Sequence, residues 1–217
     1  RDTATNNAIL TLNGVGSTAG VVIDGVQLTV MSVAAPASGN YRSGGAMDFV
    51  VTFSKTTFVD LTGGTPRLQV LLESGTTAYA VYTTGHATNQ FTFRYTVGVG
   101  DFDTNGISLS AALQLNGSVI RDNATNPLAT TLNNIGTLTA VLVDGVPPAV
   151  ESSLRNTPSP TAATSVAYTV KFVEPVSGAD IGDFELTTTG TAGGTLATLL
   201  QTDTVTYVIT ISNVGGD

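Results

Sequence analysis

Apolar and polar residues alternate with a period of two along several short segments of the chain. The clearest segments are 47–53, 91–97, 107–115, 166–172 and 205–211. This alternation predicts β-strands with one buried and one solvated face. Glycine- and asparagine-rich turns, such as Asn105-Gly106 and Asn116-Gly117, separate the strands. About seven short strands in about 120 residues predict an all-β fold of the β-sandwich type.

The strongest signal in the sequence is an internal repeat. Arg1–Val30 aligns without a gap to Arg121–Val150, and fourteen of the thirty aligned positions are identical. The identical pairs include Asp2 with Asp122, Asn6 with Asn126, and Asp24 with Asp144. An offset of 120 residues is one domain long, well above the roughly 20–50 residues of solenoid repeats.

Two weaker similarities between segments of the chain extend the repeat and define the domain organisation. The segment 48–59 matches 168–179 with Phe53 opposite Phe172, and 91–97 is paired with 205–211. We therefore expect residues 1–25 to be the last strands of one repeat. Residues 26–146 form a complete repeat, and residues 147–217 form the first part of a third. Pro147-Pro148 forms a short, stiff linker, because proline fixes φ and lacks a backbone N–H.

The segment Val143–Gly190 reads VDGVPPAVESSLRNTPSPTAATSVAYTVKFVEPVSGADIGDFELTTTG, and 41–109 contains YRSGGAMDFVVTFS and NQFTFRYTVGVGDFDTNGISL. The first resembles the bacterial Ig-like repeats of giant repetitive extracellular proteins and adhesins. The second is similar to a sister repeat type of the same proteins. The resemblance implies tandem Ig-like β-sandwiches, secretion to the bacterial cell surface, and a role as stalk, spacer or adhesive unit. Glu174 follows the family pattern, whereas Lys55 stands at the matching position of the preceding repeat.

Composition narrows the possible partners. The chain has a formal net charge of −8 and only eight Lys and Arg, so no basic surface for nucleic acid is expected. It has no cysteine, which excludes disulfides and thiolate metal sites. The sequence contains no run of about 18 apolar residues, so it predicts no membrane span. Arg1 lies inside a predicted strand-and-turn segment, so we expect the chain to be an excerpt or a processed product.

Two groups of oxygen-bearing residues are candidate calcium ligands. Asp101, Asp103 and Asn105 open a D-x-D-x-N-G motif, but Ala112 stands where an EF-hand needs its bidentate glutamate. A looser β-loop site or a simple acidic turn are the alternatives. The second group lies at the predicted junction between repeats and comprises Asp122, Asp144, Glu174, Asp180 and Asp183, with Asp2 and Asp24 at the earlier junction. Calcium there would stiffen the rod. Asp-Gly turn chemistry is the alternative.

Catalysis is not expected. His86 is the single histidine and is predicted to lie at a solvated loop tip, and no tryptophan is present to stack on sugars. An internal crosslink between a lysine and an asparagine is also not expected. Lys171 lies on a polar strand face, and Lys55 is predicted at a strand end.

Three roles follow for a non-enzymatic extracellular protein. The first is an adhesin stalk or spacer whose partners are neighbouring repeats. The second is a binding module that contacts a glycan or a host protein through its loop tips. The third is the subunit of a self-assembling filament. In a filament, residues 1–25 of one copy would complete residues 147–217 of the next by strand addition, although that composite lacks the counterpart of 102–120.

Overall fold

The computed structural model describes residues 1–7, 14–159 and 161–216. Its regular structure is all-β, with curled sheets that are consistent with a β-sandwich. A single turn of 3₁₀ helix, Ile181–Asp183, is the only helical element in these residues. The strands are β1 (Leu28–Ala34), β2 (Gly39–Arg42), β3 (Ala46–Asp60), β4 (Arg67–Leu71), β5 (Thr77–Thr84), β6 (Thr88–Thr96), β7 (Phe102–Asp103), β8 (Ser108–Leu109), β9 (Val119–Asp122), β10 (Leu128–Ala129), β11 (Val141–Asp144), β12 (Val150–Arg155), β13 (Ser165–Phe172), β14 (Gly193–Gln201) and β15 (Thr206–Gly215).

The chain divides into two compact units. Unit 1 comprises 1–39, 46–96 and 105–142, and unit 2 comprises 40–45, 97–104 and 143–217. These units do not test the predicted repeat boundaries, which remain a prediction.

An eight-stranded sheet carries the core of unit 1. Its order is β10-β1-β3-β6-β5-β4-β8, and β9 pairs with the far end of β3. Burial alternates along β3, where Met47, Phe49, Val51 and Phe53 are all buried. The period-two pattern of the sequence therefore predicts the buried face of this strand correctly.

Unit 2 contains a four-stranded sheet in the order β12-β13-β15-β14. Its first pair repeats the geometry of β1 and β3. Val30 lies opposite Phe53 with a register shift at the next pair, and Val150 lies opposite Phe172 with a shift at the same place. Two local ladders with matching sequences therefore share the same bulge.

The next strand pair corrects one detail of the sequence alignment. Val51 lies opposite Phe91, and its counterpart Val170 lies opposite Tyr207. Phe91 therefore corresponds to Tyr207, two residues further along than the predicted match with Val205. Inter-strand pairing decides this register, because alternation is unchanged by a shift of two residues.

The predicted strand over 107–115 is largely absent. Only Ser108–Leu109 pairs as β8, although Ile107 and Leu113 are buried as the pattern predicts. Backbone groups of this segment bond alternately to Gln69 of β4 and to Thr130, on two different sides. A continuous ladder to one partner therefore does not form.

Candidate functional site

A cluster of polar side chains in unit 1 centres on Lys55. Lys55 lies inside the long strand β3 and not at a strand end as predicted. The β3–β6 ladder is irregular between Thr52 and Thr57, and beyond that point β3 pairs with β9. Thr57 faces Asp122 in the β3–β9 pair. The change of partner strand thus brings the Lys55 ammonium close to Asp122.

The Lys55 ammonium is surrounded by oxygen acceptors. It donates to both carboxylate oxygens of Asp24 at 2.7 Å, to Oδ2 of Asp122 at 2.9 Å, and to the carbonyl of Val26. An ammonium has three N–H donors, so the two Asp24 oxygens share one. We call Asp24, Lys55, Asp122 and Asn126 the Lys55 cluster.

A tight loop holds the carboxylate of Asp122 in place. The backbone N–H of Asn126 donates to Oδ1 at 2.8 Å, and its side-chain amide donates to Oδ2 at 2.9 Å. Thr125 adopts a positive φ of 68°, which closes the loop. The Asn126 amide also donates to the Asp24 carbonyl at 2.9 Å. Asn126 therefore binds both the loop and the segment that carries Asp24.

The same loop occurs at the sequence repeat. Asn6 donates to Oδ1 of Asp2 from its backbone at 3.0 Å and to Oδ2 from its side chain at 2.9 Å. Thr5 has a φ of 68°, as Thr125 has. The loop geometry is therefore a local property of the repeated sequence, whereas burial differs. Asp122 is buried, and Asp2 is exposed.

The cluster shifts the pKa of each charged member in the direction expected for an ion pair. The pKa of Asp122 is lowered to about 2, chiefly by the Asn126 side-chain amide and then by Lys55. Hydrogen bonding to Lys55 lowers the pKa of Asp24. The pKa of Lys55 is raised, first by its hydrogen bond to Asp24. All three groups therefore stay charged at neutral pH.

The first predicted calcium group is arranged differently. Asp101 and Asp103 are both buried, and Oδ2 of Asp101 accepts the backbone N–H of Gly98 at 2.6 Å. Asp103 belongs to β7, opposite Val143, and Asn105 is exposed. Within the ranges that the structure describes, no three carboxylate or imidazole groups form a metal-binding arrangement. Calcium at these residues stays a prediction.

Of the predicted junction residues, Asp122 meets Asp24 of the earlier junction at Lys55, and the others take separate local roles. Oδ1 of Asp144 accepts the Val146 N–H at 3.4 Å, as Oδ1 of Asp24 accepts its equivalent at 3.0 Å. Asp180 and Asp183 form a capping box at the 3₁₀ turn. Glu174 has a buried Oε1 with no hydrogen-bond partner among the described residues.

His86 lies at the turn between β5 and β6 and is exposed, as predicted. Its Nδ1 lies 3.2 Å from the Val59 carbonyl, and its ring packs edge-on against Phe58 at a centroid distance of 5.6 Å. These contacts give the histidine a packing role in holding the turn.

Sequence reasoning missed the organising role of Asn126 and of Lys55. Asn6 and Asn126 are identical partners in the repeat, four residues after identical aspartates. That spacing signals a side-chain-closed loop. The pairing of Lys55 with Asp122 has no such signal, because 67 residues separate them in the chain.

No protein-family model matches the sequence, and no curated protein matches it either. In the described part of the chain, no helix has the length and apolar character needed to cross a membrane.

Proposed function

We propose that this chain is a non-enzymatic segment of tandem Ig-like β-sandwich repeats that serves as a stalk or spacer in a secreted bacterial surface protein. The observation that carries the proposal is the Lys55 cluster. It ties the Asp24–Val26 segment, which lies at the predicted boundary between the first two repeats, to Lys55 and Asn126 of the complete repeat by hydrogen bonds. A spacer needs such ties, because a free linker would let successive domains swing.

Repetition of local geometry supports the tandem arrangement. The loop closed by Asn126, the Asp-Gly-Val turn and the bulge next to Val30 each recur 120 residues apart in the sequence. A binding role for the loop tips stays a prediction.

The surface location has a direct test. We expect antibodies against the purified chain to label intact cells of the producing bacterium, and brief protease treatment of those cells to remove the label. A cytoplasmic protein serves as the control and should stay unlabelled. Labelling that appears only after permeabilisation would exclude the stalk role.

The proposed calcium site lies at the predicted junction around Asp144. At the earlier predicted junction, the Lys55 ammonium lies between the carboxylates of Asp24 and Asp122. In the strand register of unit 2, the residue that corresponds to Lys55 is Glu174, which carries a carboxylate. We propose that a calcium ion takes the place of the ammonium at the junction around Asp144, with Asp144 and Glu174 as ligands.

We expect calcium to raise the melting temperature of the wild type, and Glu174→Gln to abolish that rise. Asp48→Asn, which alters an exposed ion pair with Arg94, should leave it unchanged. An equal response of all three proteins to calcium and to a chelator would refute this site.

A further inference from the structure

The far end of β3 loses one of its two neighbouring strands. The ladder between β3 and β6 ends at Thr57, whereas β9 pairs with β3 as far as Asp60. On the side away from β9, the carbonyl of Thr57 accepts the Ala87 N–H at 3.0 Å from the turn between β5 and β6. Backbone groups two residues apart in a strand point to the same edge. The N–H and the carbonyl of Val59 therefore point towards this turn as well.

The His86 imidazole takes the place of a partner strand at this edge. Its Nδ1 lies 3.3 Å from the backbone nitrogen of Val59 and 3.2 Å from the backbone oxygen of Val59. In a regular antiparallel ladder, a facing residue supplies one acceptor and one donor to two such groups. A ring nitrogen is either an acceptor or a donor, according to whether it carries a proton. His86 therefore satisfies the N–H or the carbonyl of Val59, but not both at once.

Other contacts hold the imidazole in this position. The backbone N–H of His86 donates to the Tyr82 hydroxyl on β5 at 3.0 Å, and the ring packs edge-on against Phe58. The preceding residue, Gly85, has a φ of 123°, and a Cβ there would lie 2.1 Å from the Gln90 carbonyl oxygen. Because the main chain of the turn is so closely packed, we expect a change in ring protonation to exchange the hydrogen-bond partner and to leave the turn in place.

The neutral ring is expected to accept from Val59. Val59 is buried, and a buried N–H without an acceptor is rarer in proteins than a carbonyl without a donor. In acid the ring gains a proton, and both of its nitrogens are then donors. Nδ1 of the imidazolium can bond only to the Val59 carbonyl.

Charged groups on the surrounding strands keep their charge over the range of about pH 5 to 8 in which histidine side chains titrate. At the end of β3, the hydroxyl and the N–H of Thr62 donate to Asp60 and hold the pKa of its carboxyl below the usual value. On β9, Arg121 carries a guanidinium, which stays protonated. The Lys55 cluster, which lies on the same two strands, also stays charged. His86 is the single histidine of the chain.

We propose that His86 is a pH-dependent switch at the edge of β3, which accepts the Val59 N–H at neutral pH and donates to the Val59 carbonyl in acid. Acidification then releases one backbone donor at the strand edge, while the turn between β5 and β6 stays attached. An unpaired N–H at a strand edge is available to water or to a further strand. This inference concerns unit 1 alone and goes beyond the proposed stalk role, from which it is independent.

The test is a titration of the isotopically labelled full chain by NMR spectroscopy, from about pH 8 to about pH 5. We expect the Val59 amide proton to move upfield and the Val59 carbonyl carbon to move downfield, both with the midpoint of the His86 ring signals. The protection of the Val59 amide against hydrogen exchange, corrected for the intrinsic rate, should fall at least about fivefold, as for the loss of one hydrogen bond of ordinary net strength. The Ala87 N–H, which donates to Thr57 in the same turn, is the internal control and should change little.

Two variants assign the response to the imidazole. In His86→Asn, the asparagine offers an acceptor oxygen that does not titrate, so the Val59 amide should stay protected at both ends of the pH range. In the control Asp60→Asn, which removes the carboxylate that follows Val59 on β3, the response should remain. A Val59 amide that stays constant while the ring titrates overturns the proposal, because Nδ1 would then carry its proton throughout. A response that persists in His86→Asn also overturns it, since another group would then be responsible.

Discussion

Gly145→Ala should lower the stability of the protein by about 3 kcal/mol, near the upper end of the usual penalty for overpacking. A Cβ at Gly145 would lie 2.2 Å from the Gly98 carbonyl oxygen and 2.9 Å from that of Asp101. Both neighbours are backbone atoms that cannot rotate away. Hydrogen bonds also hold the backbone of Gly145 in place. Its N–H donates to the Asp101 carbonyl at 2.7 Å, and its carbonyl accepts from the Gly100 N–H at 2.9 Å.

The repeat supplies the control for this substitution. Gly25 occupies the same place in the same Asp-Gly-Val motif, yet nothing lies within 4 Å of a Cβ built there. Gly25→Ala should therefore leave the calorimetric melting temperature almost unchanged. Equal destabilisation by the two substitutions would show that the motif itself requires glycine, and that packing around Gly145 does not matter.

Lys55→Met should give the largest loss of thermal stability among the ion-pair substitutions at neutral pH. Methionine preserves much of the side-chain volume but leaves the carboxylates of Asp24 and Asp122 facing each other without the ammonium. Because Asp122 is only 1% exposed, water compensates its charge poorly. Arg94→Met is the control. It removes an exposed ion pair with Asp48, and its effect should be small.

The loss caused by Lys55→Met should shrink as the pH falls. The pKa of Asp122 is about 2 in the folded protein against 3.8 as its ordinary value, so its stabilising contribution is complete above about pH 4. That contribution disappears as the pH falls towards 2. The raised pKa of Lys55 keeps its own contribution complete up to the ordinary value of 10.5, beyond which it is lost. Melting temperatures of wild type and variant, measured from pH 7 to pH 2, should therefore converge. A gap that stays constant down to pH 2 would mean that charge pairing is not the cause.

Alternation along the chain predicted β3, β6, β13 and β15, since a strand with one buried face requires a period of two. Residues 47–53 and 166–172 form strands as expected, with Met47 and Val170 buried. The pattern at 107–115 predicted burial at Ile107 and Leu113 correctly but not the hydrogen bonding. Side-chain periodicity reports which residues face the core, whereas a ladder also needs one continuous partner strand.

The candidate site was only partly predictable for a related reason. The loops closed by Asn6 and Asn126 depend only on residues four positions apart in the sequence, so both copies of the sequence form them. The meeting of Lys55 with Asp24 and Asp122 joins residues separated by 31 and 67 positions. That meeting depends on where β3 leaves β6 and pairs with β9, which is a property of sheet register. Short-range chemistry can therefore be predicted from this sequence alone, whereas only the tertiary structure decides that the carboxylates of Asp24 and Asp122 share the Lys55 ammonium.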